Sequence, residues 1–298
     1  MASTTRHFEH EGHRLVFDEY GSGERPVILL PGLLLSRKMH GPLAEALGAS
    51  GYRVLCLDPL GHGDSDRPAE MWHYSMPIFG AQALALMDHL GLERAVVGGT
   101  SLGANAALEA AALAQDRLQG MLLEMPVLDN GLLACAVAFT PLLVGLTFGA
   151  PVARLAARAA RRAPRRGGML AEMTLDCLGQ DPKPSASVLQ GLIFGRVAPP
   201  PPERRALGPP ALVIGHPRDP IHPFSDSDML MGELPNARLL EASSILELRR
   251  SPERLTAEIT TFIDECWEGA ERRPAHPRGA RTARTARSAT SGGRRRPG

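Results

Sequence analysis

Over the first 126 residues, short apolar runs alternate with stretches of helical hydrophobic spacing. Residues 27–30 read as a strand closed by Pro31 and Gly32, and residues 42–48 as a helix. Residues 53–57 form a second expected strand, ending at Asp58. Residues 78–90 are patterned as a helix stopped by Gly91. Residues 95–98 give a third strand, 102–114 an alanine-rich helix, and 121–124 a fourth strand. Strand and helix in regular alternation predict an α/β fold: a mostly parallel central sheet flanked by helices on both faces.

The period changes at residue 127. From there to about 205 the pattern is helical, without strands, and it ends in the proline run 199–202, which is expected to join neither a helix nor a central strand. Strands resume at 211–214 and 237–240, and a last helix is expected over 252–267 with Ser251 as its N-cap. The division that follows is a core of residues 1–126 and 206–270, an inserted helical lid or cap of residues 127–205, and an Arg-rich tail of residues 271–298. Residues 131–153 carry no charge and six arginines follow (Arg154, Arg158, Arg161, Arg162, Arg165, Arg166). Length and flank are those of a membrane span. Pro141 and Pro151 interrupt the run, and it lies within one domain, so a lid over an apolar pocket is expected and not a stable span.

Composition sharpens this picture in three places. Aromatics make up only 4% of the chain, so the core must be built from Ala, Leu, Val and Met. The net charge of +1 hides an asymmetry: from residue 271 on, nine arginines face one glutamate, which leaves the remaining body acidic. An acidic body is not expected to bind nucleic acid through its folded domain. The tail has no aliphatic side chain larger than Ala, so it is expected to be disordered, and its removal is expected to leave the melting temperature unchanged. A fall of several degrees on truncation would show that it docks. Cys56, Cys135, Cys177 and Cys266 form no CxxC pair and read as free thiols of a reducing compartment. The N-terminus has no apolar h-region, and a cytoplasmic location is expected.

Candidate chemistry centres on Gly99-Thr100-Ser101-Leu102-Gly103, a G-x-S-x-G pattern between an expected strand and an expected helix. Such a turn admits only small residues two before and two after the serine, hence the elbow glycines Gly99 and Gly103, and it lifts the hydroxyl above the sheet. With this elbow, Leu30-Pro31-Gly32-Leu33, Asp58-Pro59-Leu60-Gly61-His62-Gly63-Asp64-Ser65 and Gly215-His216-Pro217-Arg218-Asp219, the chain resembles the α/β-hydrolase superfamily. The similarity is to its lidded esterases, epoxide hydrolases, haloperoxidase-like enzymes and C–C hydrolases, and it runs from about residue 13 to 267. The resemblance implies Ser101 as nucleophile of a serine esterase, Asp219 as acid, and the backbone N–H groups of Leu33 and Leu102 as an oxyanion hole. It implies no metal and no organic cofactor. The Asp58–Ser65 loop reads as a shaped turn, with His62 structural.

One position departs from the family. Alignment on Pro252 puts Ile245 where the catalytic histidine normally stands, and isoleucine cannot accept a proton. No histidine occurs between His222 and His276. Two readings stay open. In one, His222, in a loop expected at the catalytic edge of the sheet, serves as base for hydrolysis of an ester, thioester or related carbonyl substrate with an apolar moiety. Glu124, His216 and His40 are then the alternative acid or base groups. In the other, the chain is a non-hydrolytic scaffold that binds a hydrophobic small molecule or partner.

Overall fold

The structure, a computed structural model, describes residues 3–165, 167–219, 221–250 and 252–271. The Arg-rich tail beyond Glu271 and the expected N-cap Ser251 lie outside the described residues. The strands are β1 (Thr4–His10), β2 (His13–Tyr20), β3 (Pro26–Leu30), β4 (Arg53–Asp58), β5 (Ala95–Thr100), β6 (Leu118–Glu124), β7 (Ala211–Gly215) and β8 (Ala237–Glu241). They form one sheet in the order β1-β2-β4-β3-β5-β6-β7-β8. β1 and β2 run antiparallel to their neighbours, and β4, β3, β5, β6, β7 and β8 are mutually parallel.

Parallel strands covered on both faces become continuous apolar runs. β3, β5, β6 and β7 are buried along their whole length. Ile28 and Leu30 of β3 point to the face covered by α2 (Met76–His89) and α3 (Leu102–Ala114). Val27 and Leu29 point to the other, covered by α1 (Gly41–Ala49) and the final α11 (Glu253–Glu271). The strand period of two thus sorts one apolar run into two cores. α3, expected to be alanine-rich, is buried on nearly every side, as small side chains allow.

Two strands had no counterpart in the sequence pattern. β1 buries only Phe8 of its seven residues, because it is the outer edge strand and has one neighbour. Its hairpin to β2 turns on two residues, Glu11 and Gly12, both at positive φ (51° and 78°). This is the two-residue geometry that matches sheet twist.

Between β6 and β7 the chain is helical, as its period predicts: α4 (Leu132–Phe148), α5 (Ala150–Arg162), α6 (Gly168–Leu178), α7 (Pro182–Phe194) and α8 (Pro201–Arg205). Two proline expectations are corrected. Pro141 lies inside α4 and does not end it; the break comes at Gly149, with Pro151 in the first turn of α5. Likewise the proline run enters a helix, Pro201 and Pro202 opening α8. Pro151, Pro201 and Pro202 occupy first-turn positions, whose N–H has no intrahelical partner to lose, whereas Pro141 removes a donor from the interior of α4. α4 and α5 meet at 99°, and among the described residues no single helix is long and apolar enough to cross a membrane.

The insertion is tied down at both ends. The Asn105 side chain, on α3, donates to the carbonyls of Val127 and Val197, each at 2.7 Å, and accepts from the Val127 N–H at 3.1 Å. Downstream, α9 (Phe224–Glu233) carries the buried Asp226, whose carboxylate accepts the N–H groups of Leu128, Asn130 and Gly131 at 2.7–3.0 Å. Asn105 thus fixes both ends of the insertion to α3, which follows Ser101 directly, and Asp226 fixes its start to α9.

Candidate active site

Ser101 sits between the end of β5 and the start of α3, with φ 55° and ψ −108°. For a residue with a Cβ this backbone is strained by roughly 1–3 kcal/mol, and such strain gathers at functional turns. The surroundings enforce it. A Cβ on Gly99 would stand 2.1 Å from the Leu30 carbonyl oxygen, and one on Gly103 2.0 Å from the same atom. The turn therefore packs directly on the end of β3, and the Ser101 N–H donates to the Glu124 carbonyl at 2.8 Å.

Asp219 arrives on the loop after β7, and His222 follows it by one turn. Asp219 Oδ1 accepts the backbone N–H groups of Ile221 at 2.8 Å and His222 at 3.0 Å. Its Oδ2 lies 2.8 Å from His222 Nδ1, and His222 Nε2 lies 2.9 Å from Ser101 Oγ. One carboxylate thus shapes the loop and orients the ring. Burial works to raise the Asp219 carboxyl, but the hydrogen bonds from the His222 ring and the two backbone N–H groups outweigh it and hold the group below its ordinary value.

The alternative acid and base groups are engaged elsewhere. Glu124, at the end of β6, contacts the Arg249 guanidinium and accepts from the Thr100 hydroxyl. Arg249, from the short helix α10 (Glu247–Arg250), also donates to Thr100 Oγ1 at 2.7 Å. Burial would raise the Glu124 carboxyl, yet Arg249 and its other partners hold it well below the carboxylate range. His216 Nδ1 meets the Ser244 carbonyl at 3.0 Å, while its Nε2 stands 3.6 Å from Glu124, beyond hydrogen-bond reach. His40 Nε2 meets the Leu30 carbonyl at 2.8 Å; burial, and then the Arg249 charge, push its pKa down to about 4. Ile245 is partly exposed on the loop between β8 and α10.

The Asp58–Ser65 loop is held by its Asp58 and Ser65 side chains, which bond backbone groups inside and outside the loop. Asp58 accepts the N–H groups of Arg37 at 2.6 Å and Asp64 at 2.9 Å. Ser65 Oγ donates to the Asp58 carbonyl at 2.6 Å and accepts from the Val16 N–H at 2.8 Å. His62 is buried with Nδ1 on the Leu60 carbonyl at 2.9 Å, and burial pushes its pKa down to about 4.

A cavity of about 240 Å³ opens over Ser101. Leu33 and Leu102 line it from the core, Leu132 and Phe139 from α4, and Leu189 from α7. Leu102 is the first residue of α3, so its N–H is among those a helix leaves without an internal acceptor. A larger cleft of about 580 Å³, between residues such as Asp116, Pro210 and Asn236, lies where β6, β7 and β8 begin. Ligands of open α/β sheets bind at the other edge, where strands end and where Ser101 stands. Among the described residues no group of His, Cys, Asp and Glu could hold a metal ion.

The strand order, the elbow and the loop after β7 together define a class, and sequence comparison agrees. Residues 25–239 match the family model of the α/β hydrolase fold, so the chain belongs to that family. It is 34% identical over 143 residues to epoxide hydrolase A of Mycobacterium tuberculosis, which covers 46% of this chain and 44% of that protein. It is 37% identical over 89 residues to the bifunctional epoxide hydrolase 2 of Mus musculus, covering 28% of this chain and 15% of that one. The matched stretch thus spans less than half the length of these curated relatives. Among solved structures, the enol-lactonase from Burkholderia xenovorans superposes with a TM-score of 0.71 at 25% identity, over 87% of this chain and 100% of that one.

Proposed function

We propose that the protein is a serine hydrolase acting on an ester, thioester or related carbonyl substrate with an apolar moiety, through an acyl-enzyme on Ser101. The observation that carries this reading is the unbroken line Asp219 Oδ2, His222 Nδ1, His222 Nε2, Ser101 Oγ, with steps of 2.8 and 2.9 Å. Ser101 Oγ attacks the carbonyl carbon as His222 Nε2 takes its proton. The Leu33 and Leu102 amides receive the oxyanion. The intermediate collapses, His222 gives the proton to the leaving group, and a water activated by the same imidazole then releases the acid. Helices α4–α7 act as a lid, and their apolar side chains favour a substrate with little polar surface.

The nucleophile argues for a carbonyl substrate even though the curated relatives named above are epoxide hydrolases. Attack of a serine hydroxyl on an epoxide carbon would leave an ether. An ether has no carbonyl for water to attack, so the enzyme could not turn over. Attack on an ester or lactone leaves an acyl-enzyme that water can cleave, and an enol-lactonase is among the structural neighbours.

An alkyl fluorophosphonate tests this directly, since labelling needs an activated nucleophile and oxyanion donors. The expected result is one adduct, on Ser101, lost in Ser101→Ala and His222→Ala. An unlabelled wild-type protein that also fails to cleave short-chain esters would sink the hydrolase reading in favour of a binding scaffold.

A further inference from the structure

α4 is a helix without a polar side. Its seventeen residues carry no charge, and none of them is buried. One flank, with Leu132, Cys135 and Phe139, lines the cavity over Ser101. The other meets solvent: Leu133 is 75% exposed, Val137 68% and Phe148 83%. Past the corner at Gly149, Val152 and Leu155 of α5 continue the exposed apolar surface. A helix apolar around its circumference requires a cover, and a contiguous patch of this kind marks an interaction surface.

The charge on α5 selects the cover. Ala157 and Ala160 pack inward. On the exposed side, Val152, Leu155 and Ala156 lie along one strip and Arg154, Arg158 and Arg162 along the next, as their 100° spacing dictates. Arg165 pairs with Asp176, and Arg161 donates to the Gly179 carbonyl. Arg154, Arg158 and Arg162 have no ion pair among the described residues. Apolar strip beside unpaired arginines is the build of a helix lying in a membrane interface.

We propose that α4 and α5 dock this protein on an anionic lipid surface. Leu133, Val137, Phe148, Val152 and Leu155 enter the boundary between headgroups and acyl chains, and Arg154, Arg158 and Arg162 meet lipid phosphates. The 99° bend keeps the pair in the interface and out of a transmembrane path. A second copy of the chain fits less well, because a two-fold contact through this surface would bring two sets of uncompensated arginines to one interface. Docking sets the outer flank of α4 against the bilayer while its inner flank lines the cavity. An apolar substrate then reaches Ser101 from the membrane; this last point rests on the proposed hydrolase function, whereas the docking does not.

The test is sedimentation of the full chain with vesicles of phosphatidylglycerol and phosphatidylcholine in equal parts, against phosphatidylcholine alone. Binding is expected to the anionic vesicles and to weaken with salt. The triple variant Arg154→Gln, Arg158→Gln, Arg162→Gln should lose on the order of 100-fold in affinity, and Leu133→Glu with Phe148→Glu at least about 10-fold. Both variants should keep the wild-type melting temperature and wild-type hydrolysis of a soluble short-chain ester. Ser101→Ala should bind vesicles normally, which separates docking from catalysis. Absence of binding overturns the proposal, as does binding that both variants retain and that truncation after residue 271 abolishes. So does a dimer in light scattering that Phe148→Glu dissociates, which would make a second copy the cover.

Discussion

His222→Ala is expected to lower ester turnover by on the order of 10⁴- to 10⁶-fold, as much as Ser101→Ala, and combining the two substitutions should cost no more than either alone. Members of one proton-transfer chain act as a unit, so removing any of them removes the same step. The expectation follows from position: His222 is the imidazole at 2.9 Å from Ser101 Oγ, and its other nitrogen is held by Asp219 at 2.8 Å. Asp219→Asn should lower turnover on the order of 10³- to 10⁴-fold, because an amide can hold the ring in the wrong tautomer and cannot stabilise the imidazolium. His216→Ala and His40→Ala serve as controls. Both rings sit on backbone carbonyls, at Ser244 and Leu30, and their loss should change stability more than rate. Steady-state hydrolysis of a p-nitrophenyl ester decides the matter. Survival of activity in His222→Ala with loss in His216→Ala or His40→Ala would show that another base serves Ser101.

The proposed displacement of the catalytic histidine has a local logic. In the resemblance drawn from the sequence, acid and base come from two loops, after β7 and after β8. On the proposed reading both come from the loop after β7, where the Asp219 carboxylate accepts from the Ile221 and His222 amides and also meets the His222 ring. On that reading the loop after β8 has no proton to move. It carries Ile245 toward solvent and, through α10, delivers Arg249 to Glu124 and to Thr100, the residue before Ser101.

What was legible in the sequence was local. The elbow needs a strand, a five-residue turn and a helix in succession, and Leu102–Ala114 lies where its alanine period predicts. Asp219 and His222 are three residues apart, so one loop carries the pair. The features that escaped join distant segments and leave no spacing to read. Asn105 clips residues 127 and 197; Asp226 holds residues 128–131; Arg249 reaches Glu124 across 125 positions. Glu124 illustrates the limit. Its place at the end of β6 beside the elbow is apparent from the strand pattern, but the partner that occupies it is not. β1 escaped for a different reason: an outer strand that buries one side chain shows no alternation.

Arg249→Met should be the most destabilising surface-silent change in this region, by about 3–5 kcal/mol, because it strands a buried carboxylate. Arg249 and Glu124 are 5% and 3% exposed, and water cannot replace the lost partner. For a domain of this size the loss corresponds to roughly 6–15 °C in melting temperature. Its pH dependence identifies the cause. In the wild type the Glu124 carboxyl is held below its ordinary value of 4.5, so its contribution is complete above that value and is lost only as pH falls through the depressed range. In Arg249→Met burial dominates and raises the same carboxyl, so the variant takes up a proton on mild acidification and recovers stability. The gap in melting temperature between wild type and variant should therefore narrow from about pH 7.5 to about pH 5. Adding Glu124→Gln should close much of the gap at neutral pH, since no charge is then left buried. A deficit that is equal at both pH values, and unmoved by Glu124→Gln, would mean that Arg249 stabilises through packing and that its charge does not matter.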